Sequence, residues 1–185
     1  MLNNKRKKIF LFLLFVFFFS SFMLFSFLNK KIENTEYKLD LNFKNNGNIF
    51  ISTKLPISDK LGKSINETDD MKSYIEFSIN NSYDKRLNYD LYLISKRVDK
   101  PLNDSYVKFY LTNDKNIPCN GFEKNIIPSY ADLKFLDDSS GKLLYTGFID
   151  SNTTDNYILR VWISDTYPFG NDLKYFESSI NIVVR

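Results

Sequence analysis

The sequence predicts an all-β domain, an antiparallel β-sandwich of immunoglobulin-like or jelly-roll-like kind, preceded by one N-terminal transmembrane helix. Three observations carry that reading. Residues 9–28 (IFLFLLFVFFFSSFMLFSFL) hold no charge. Beyond residue 36, apolar and polar side chains alternate at period two in one short run after another. Those runs are separated by Gly, Pro, Asn and Asp, the residues of turns.

The apolar run comes first. At about 1.5 Å of rise per residue a helix over 9–28 is roughly 30 Å long, the thickness of bilayer hydrocarbon. Such a helix satisfies its own backbone, and its serines bond back to preceding carbonyls. Lys5, Arg6, Lys7 and Lys8 precede the run, whereas Lys30, Lys31 and Glu33 follow it. The excess of basic residues on the N-terminal side places that end in the cytoplasm. The domains expected are a basic cytoplasmic tail over 1–8, an anchor over 9–28, a juxtamembrane linker over 29–36 and an extracytoplasmic sandwich over 37–185. A cleaved signal peptide is the competing reading. The apolar run exceeds the usual signal core and no A-x-A-like site follows it.

The strands follow in order. Tyr37, Leu39, Leu41 and Phe43 share one face, and Asn45-Asn46-Gly47 turns the chain into Ile49 and Ile51. Residues 58–72 (SDKLGKSINETDDMK) are polar, contain Gly62 and read as a loop. Ile75, Phe77 and Ile79 alternate over 73–80. Leu87, Tyr89, Leu91 and Leu93 do so over 87–96, with Tyr92 and Ile94 opposite, which predicts burial on both sides. Val107, Phe109 and Leu111 mark the next strand, and 112–130 is broken by Pro118, Gly121 and Pro128. Leu133 and Phe135, the tip 137–141 (DDSSG) and 143–148 read as a hairpin. Tyr157, Leu159, Val161 and Ile163 form the clearest apolar face, with Ile158, Arg160 and Trp162 opposite. Phe176, Ser178, Ile180, Ile182 and Val184 close the series. Eight or nine such strands predict two packed sheets, each with one wet face.

Composition removes several functions. The chain has no His and one Cys, which excludes Ser-His-Asp and Cys-His catalysis and an imidazole or all-thiolate zinc site. Setting aside the four basic residues of the tail leaves 21 Lys and Arg against 22 Asp and Glu. The basic excess is therefore a topology signal, and no nucleic-acid partner is expected. Cys119 reads as a partly buried structural thiol.

Among the carboxylates, Asp69-Asp70 and Asp137-Asp138 read as solvated turn residues. The segment 150–155 (DSNTTD) begins like a calcium loop, but Asp155 stands where that loop needs Gly and Val161 where it needs Glu. It reads as a turn, and no cofactor is expected. Arg160 and Trp162 lie two residues apart on one sheet face and form a candidate partner-binding pair, since guanidinium and indole planes suit stacking. The alternative places Trp162 in the core with Arg160 covering it.

The stretch 157–164 (YILRVWIS), the N-terminal anchor and the closing strand to Arg185 resemble N-terminally membrane-anchored surface β-sandwich proteins of low-GC Gram-positive bacteria. The resemblance covers about a third of the chain. It implies an extracellular sandwich and brings no activity with it. The expectation is thus a non-enzymatic cell-surface protein. It is held in the lipid bilayer by 9–28 and partners another surface protein, a glycan or itself. A matrix or fibre subunit released by signal cleavage, or a hydrolase working with carboxylates alone, would be the other outcomes. The hydrolase requires two acids facing one cleft, one of them with a raised pKa.

Overall fold

The computed structural model describes residues 14–24, 37–44, 47–68, 74–123, 125, 127–136, 141–168, 170 and 172–185. The chain divides into two compact units, Met1–Tyr37 and Lys38–Arg185.

In the first unit, residues 14–24 form helix α1, inside the stretch expected to be helical. The ends of that stretch, the basic tail and the linker lie outside the described residues. Among the described residues no helix is long and apolar enough to cross a membrane. Helix α1 is apolar apart from Ser20 and Ser21. Phe15, Phe17, Phe18, Phe19, Phe22, Met23 and Leu24 are each more than half exposed. The Ser20 hydroxyl donates to the Phe17 carbonyl at 2.9 Å, so its polarity is satisfied within the helix.

The second unit holds eight strands: β1 (Asp40–Phe43), β2 (Asn48–Ser52), β3 (Tyr74–Asn81), β4 (Leu87–Ser95), β5 (Val107–Asn113), β6 (Gly141–Ile149), β7 (Thr153–Ile163) and β8 (Tyr175–Val184). They form two four-stranded antiparallel sheets, ordered β1-β3-β7-β5 and β2-β8-β4-β6. Odd strands make one sheet and even strands the other, so every connection crosses between sheets. This corrects the expectation of hairpin connections and of an immunoglobulin-like order. In that order chain neighbours such as A and B, or F and G, lie side by side in one sheet. The segment before β6 does return as expected. Phe135 bridges Lys142, and the Leu143 amide donates to the Lys134 carbonyl at 2.8 Å. Its tip, 137–140, lies outside the described residues, as do Asp69 and Asp70.

The core is built from the predicted apolar faces. Ile75, Phe77 and Ile79 of β3, Leu159 and Val161 of β7, and Phe109 and Leu111 of β5 are buried. They meet Ile49, Ile51, Leu87, Leu91, Leu93, Phe176 and Ile180 of the other sheet, also buried. Phe109 packs edge-on to Phe176 across the interface at 6.1 Å between ring centres. On the outer face of the second sheet Asp90 is also buried, where it accepts from Thr146 Oγ1 at 2.7 Å and pairs with the Arg185 guanidinium.

Residues 58–72 correct the prediction of a plain loop. Asp59–Ser64 is a short helix, α2, laid on the outer face of the first sheet. A Cβ on Gly62 would lie 2.2 Å from the Trp162 ring, so the helix approaches the indole as closely as glycine alone permits. The backbone beside it is stitched on: Ile57 donates to Ile163 O at 2.9 Å and its carbonyl accepts from Asp165. The outer face of β7 is consequently dry, with Ile158, Arg160 and Trp162 all buried.

Candidate functional site

Strand β5 ends because Asn113 turns the chain. Its side chain accepts from the Lys115 and Ile117 amides at 3.0 and 2.9 Å. Asn116 takes a left-handed φ of 59°, tolerated by asparagine. The chain then doubles back, and Cys119 donates its amide to Leu111 O at 3.1 Å. Strand β7 begins at Thr153, after β6 and a short turn. Asn81, fully buried, donates to the Asp150 carbonyl at 2.9 Å and holds the preceding turn in place.

Where β5 stops, the space between the sheets opens into a cleft of about 470 Å³. Asp155, Tyr157, Tyr145 and Cys119 line it, with Asp114, Asn120, Thr154 and Asn156 among the residues at its mouth. Asp155 pairs with Ile79 in the ladder and so points to the inner side of the sheet. The Tyr157 hydroxyl lies near enough to the carboxylate to favour its charged form. The Tyr89 and Tyr157 hydroxyls share a hydrogen bond at 2.6 Å, in which either can donate. The rings of Tyr145 and Tyr157 sit 6.1 Å apart and complete a tyrosine floor.

Burial, then the nearby charges of Asp150 and Asp114, raise the Asp155 carboxyl above the ordinary aspartate range. The Tyr157 hydrogen bond offsets this in part. Burial foremost also raises the Tyr145, Tyr157 and Tyr89 hydroxyls, so all three stay neutral hydrogen-bonding groups. The Cys119 thiol is pushed up to about 11 by burial alone, which leaves it unreactive at neutral pH.

A second hollow of about 430 Å³ lies on the outer face of the first sheet, lined by Asn42, Lys44, Glu76, Ser78, Asp114 and Asn156 among others. Asp114 and Asn156 belong to both hollows, which together form one polar strip around the end of the sheet. At its far side Lys44 pairs with Glu76 at 2.8 Å and Glu67 at 3.0 Å. The Lys44 ammonium, then the Tyr74 hydroxyl, hold the Glu76 carboxyl below its usual range.

The pair expected from sequence, Arg160 and Trp162, does share a face, but that face is covered. Arg160 is 6% and Trp162 2% exposed. The guanidinium donates to Ile65 O at 2.7 Å, Thr112 Oγ1 at 3.2 Å and Asn116 Oδ1 at 2.6 Å. The indole N–H donates to Asp59 Oδ1 at 3.3 Å. The partner-contact reading is thereby corrected in favour of the alternative, Trp162 buried with Arg160 beside it, because α2 occupies the surface they would have offered. Of the segment 150–155, residues 150–152 form the turn, with Asn152 at a φ of 53°, and 153–155 already belong to β7. Among the described residues no group of three His, Cys, Asp or Glu side chains is placed to hold a metal ion.

Sequence reasoning missed Asp155, Tyr145 and Tyr157 as a site. A signal was present: Asp155 has the parity of Tyr157, Leu159 and Val161, which puts a carboxylate on a core-facing row. No protein-family model, no curated protein and no solved structure matches the chain.

Proposed function

We propose that the chain is a membrane-anchored cell-surface β-sandwich whose task is recognition, with the Asp155 cleft as its binding site and a glycan as its ligand class. The observation that carries this is the make-up of the cleft. Carboxylates and amides (Asp114, Asp155, Asn120, Asn156) converge over tyrosine rings in an open hollow of about 470 Å³. Paired oxygens and amides suit vicinal hydroxyls, and an aromatic floor suits the apolar face of a sugar ring. The anchor is supported by the uncharged run over 9–28, by the basic residues before it, and by the exposed apolar side chains of α1. The sandwich would then stand outside the cytoplasm.

The test is titration calorimetry of the full chain in detergent micelles against neutral and amino-sugar oligosaccharides. At least one binds, and Asp155→Asn and Asn156→Ala each weaken it about tenfold, the loss of one good hydrogen-bonded contact. Silence across the panel, or binding indifferent to both variants, sinks the reading.

A second reading, carboxylate hydrolysis, is favoured by the raised pKa of Asp155 with Asp114 lining the same cleft. It predicts cleavage of a bound oligosaccharide by the native chain, and binding without cleavage by Asp155→Asn.

A further inference from the structure

The four sheet edges are not alike. The edge of β5 is occupied: Phe109 donates to Pro128 O at 3.1 Å and Asn113 to Ile117 O at 3.0 Å. The edge of β6 is occupied by residues 134–136, with Leu136 donating to Gly141 O at 2.9 Å. Strand β1 is only four residues long, carries Asp40 and is flanked by Lys38 and Lys44. Charge and brevity of this kind blunt an edge. Strand β2, Asn48-Ile49-Phe50-Ile51-Ser52, has neither device. It is uncharged, free of proline and glycine, and among the described residues no segment pairs with its outer side.

The ladder fixes which of its backbone groups face outward. Ile180 donates to Gly47 O, and Thr53 to Lys174 O. Hydrogen-bonded pairs recur every second residue in an antiparallel ladder, so Ile49 and Ile51 bond to β8 as well. The amides and carbonyls of Asn48, Phe50 and Ser52 therefore point away from the sheet. Phe50 is 46% exposed, its ring stacked on Tyr175 at 5.6 Å.

We propose that β2 is a homotypic docking edge, which pairs antiparallel with β2 of a second copy about a two-fold axis through Phe50. The strand is close to a chemical palindrome. In this register Phe50 faces Phe50 of the second copy, Ile49 faces Ile51 and Asn48 faces Ser52. The hydrogen-bonded pairs fall on 50 with 50 and on 48 with 52, the same residues whose backbone groups point outward. The two isoleucine rows continue the core across the junction, and the Phe50 and Tyr175 rings form one aromatic strip outside it. Such a contact is isologous and closed, giving a pair and not a fibre.

The test is disulfide trapping in the full chain, carried in detergent micelles with Cys119→Ser as background and diamide as oxidant. Hydrogen-bonded antiparallel partners have Cα atoms about 5.5 Å apart, inside the range a disulfide spans. Phe50→Cys forms a covalent dimer at least tenfold faster than Ile117→Cys, a more exposed position on another part of the domain. A mixture of Asn48→Cys and Ser52→Cys chains links into the heterodimer in preference to either homodimer. Phe50→Pro, which removes an outward amide and the ring stacked on Tyr175 but no hydrogen bond to β8, lowers the light-scattering mass to that of the monomer with an unchanged far-ultraviolet spectrum. Equal trapping at 50 and 117, or a dimer insensitive to Phe50→Pro, overturns the proposal. The latter result would assign the contact to residues 1–37.

Discussion

Asp155 carries a carboxylate on the inner parity of a strand whose next three inward residues are Tyr157, Leu159 and Val161. The desolvation there is only partly offset by the Tyr157 hydroxyl, so the folded state favours the protonated acid. A carboxyl with a raised folded pKa supports stability below its unfolded value of about 3.9. That support is lost as pH rises through the folded value, because the unfolded chain then binds fewer protons. Asp155→Asn removes the charge and keeps an acceptor for Tyr157. It is expected to raise the melting temperature at neutral pH, with the gain vanishing below about pH 3.9. Melts at both pH values check this, and a loss of stability at neutral pH would show that the carboxylate is better satisfied than its surroundings imply. Residue parity was legible in the sequence and put Arg160 opposite the apolar row, whereas Asp155 shares the parity of that row but was read as part of the turn before it. What each residue meets was not legible. Thr112 and Asn116, from β5 and the turn that ends it, and Ile65, from the segment after α2, reach Arg160 together only in the folded chain.

At the scale of elements, α2 shows why a polar stretch was misread. It is six residues long, shorter than helical periodicity reveals, and its one buried residue is a glycine. The signal for a covering segment lay at its ends, in Ile57 and Ile65, which are 9% and 3% exposed. Gly62→Ala sets two effects against each other. Alanine is favoured over glycine in a helix by up to about 1 kcal/mol. Its methyl group, however, would stand 2.2 Å from a fully buried indole that has no room to retreat, an overpacking that costs about 1–3 kcal/mol. The clash outweighs the propensity, so urea unfolding is expected to show a net loss of about 1–2 kcal/mol. Trp162 is the only tryptophan in the chain, and its emission should shift to the red as α2 lifts. A net gain in stability would mean that the helix re-seats at no cost.

For the whole molecule, alternation at period two made the sandwich legible, since each strand announces its inner face by itself. Strand order was not legible, because pairing is decided by partners distant in sequence. The central strand β7 lies between β3 and β5, and no local feature of 153–163 names either neighbour. The proposed anchoring and its direction rest on the apolar run and the basic residues before it, and both can be tested without knowing any ligand. Native Cys119 is a poor reporter, since its thiol is half-buried and its pKa is pushed up to about 11. Ile117, two residues away, is 57% exposed. In a Cys119→Ser background, Ile117→Cys should react with a membrane-impermeant maleimide on intact expressing cells. Asn3→Cys, in the basic tail, should react only after the membrane is permeabilised. The reverse pattern would invert the topology. Release of an Ile117→Cys chain into the medium, trimmed at its N-terminus, would make residues 9–28 a cleaved signal. In that case a soluble sandwich would remain, and its cleft and its β2 edge would meet their partners free of the lipid surface.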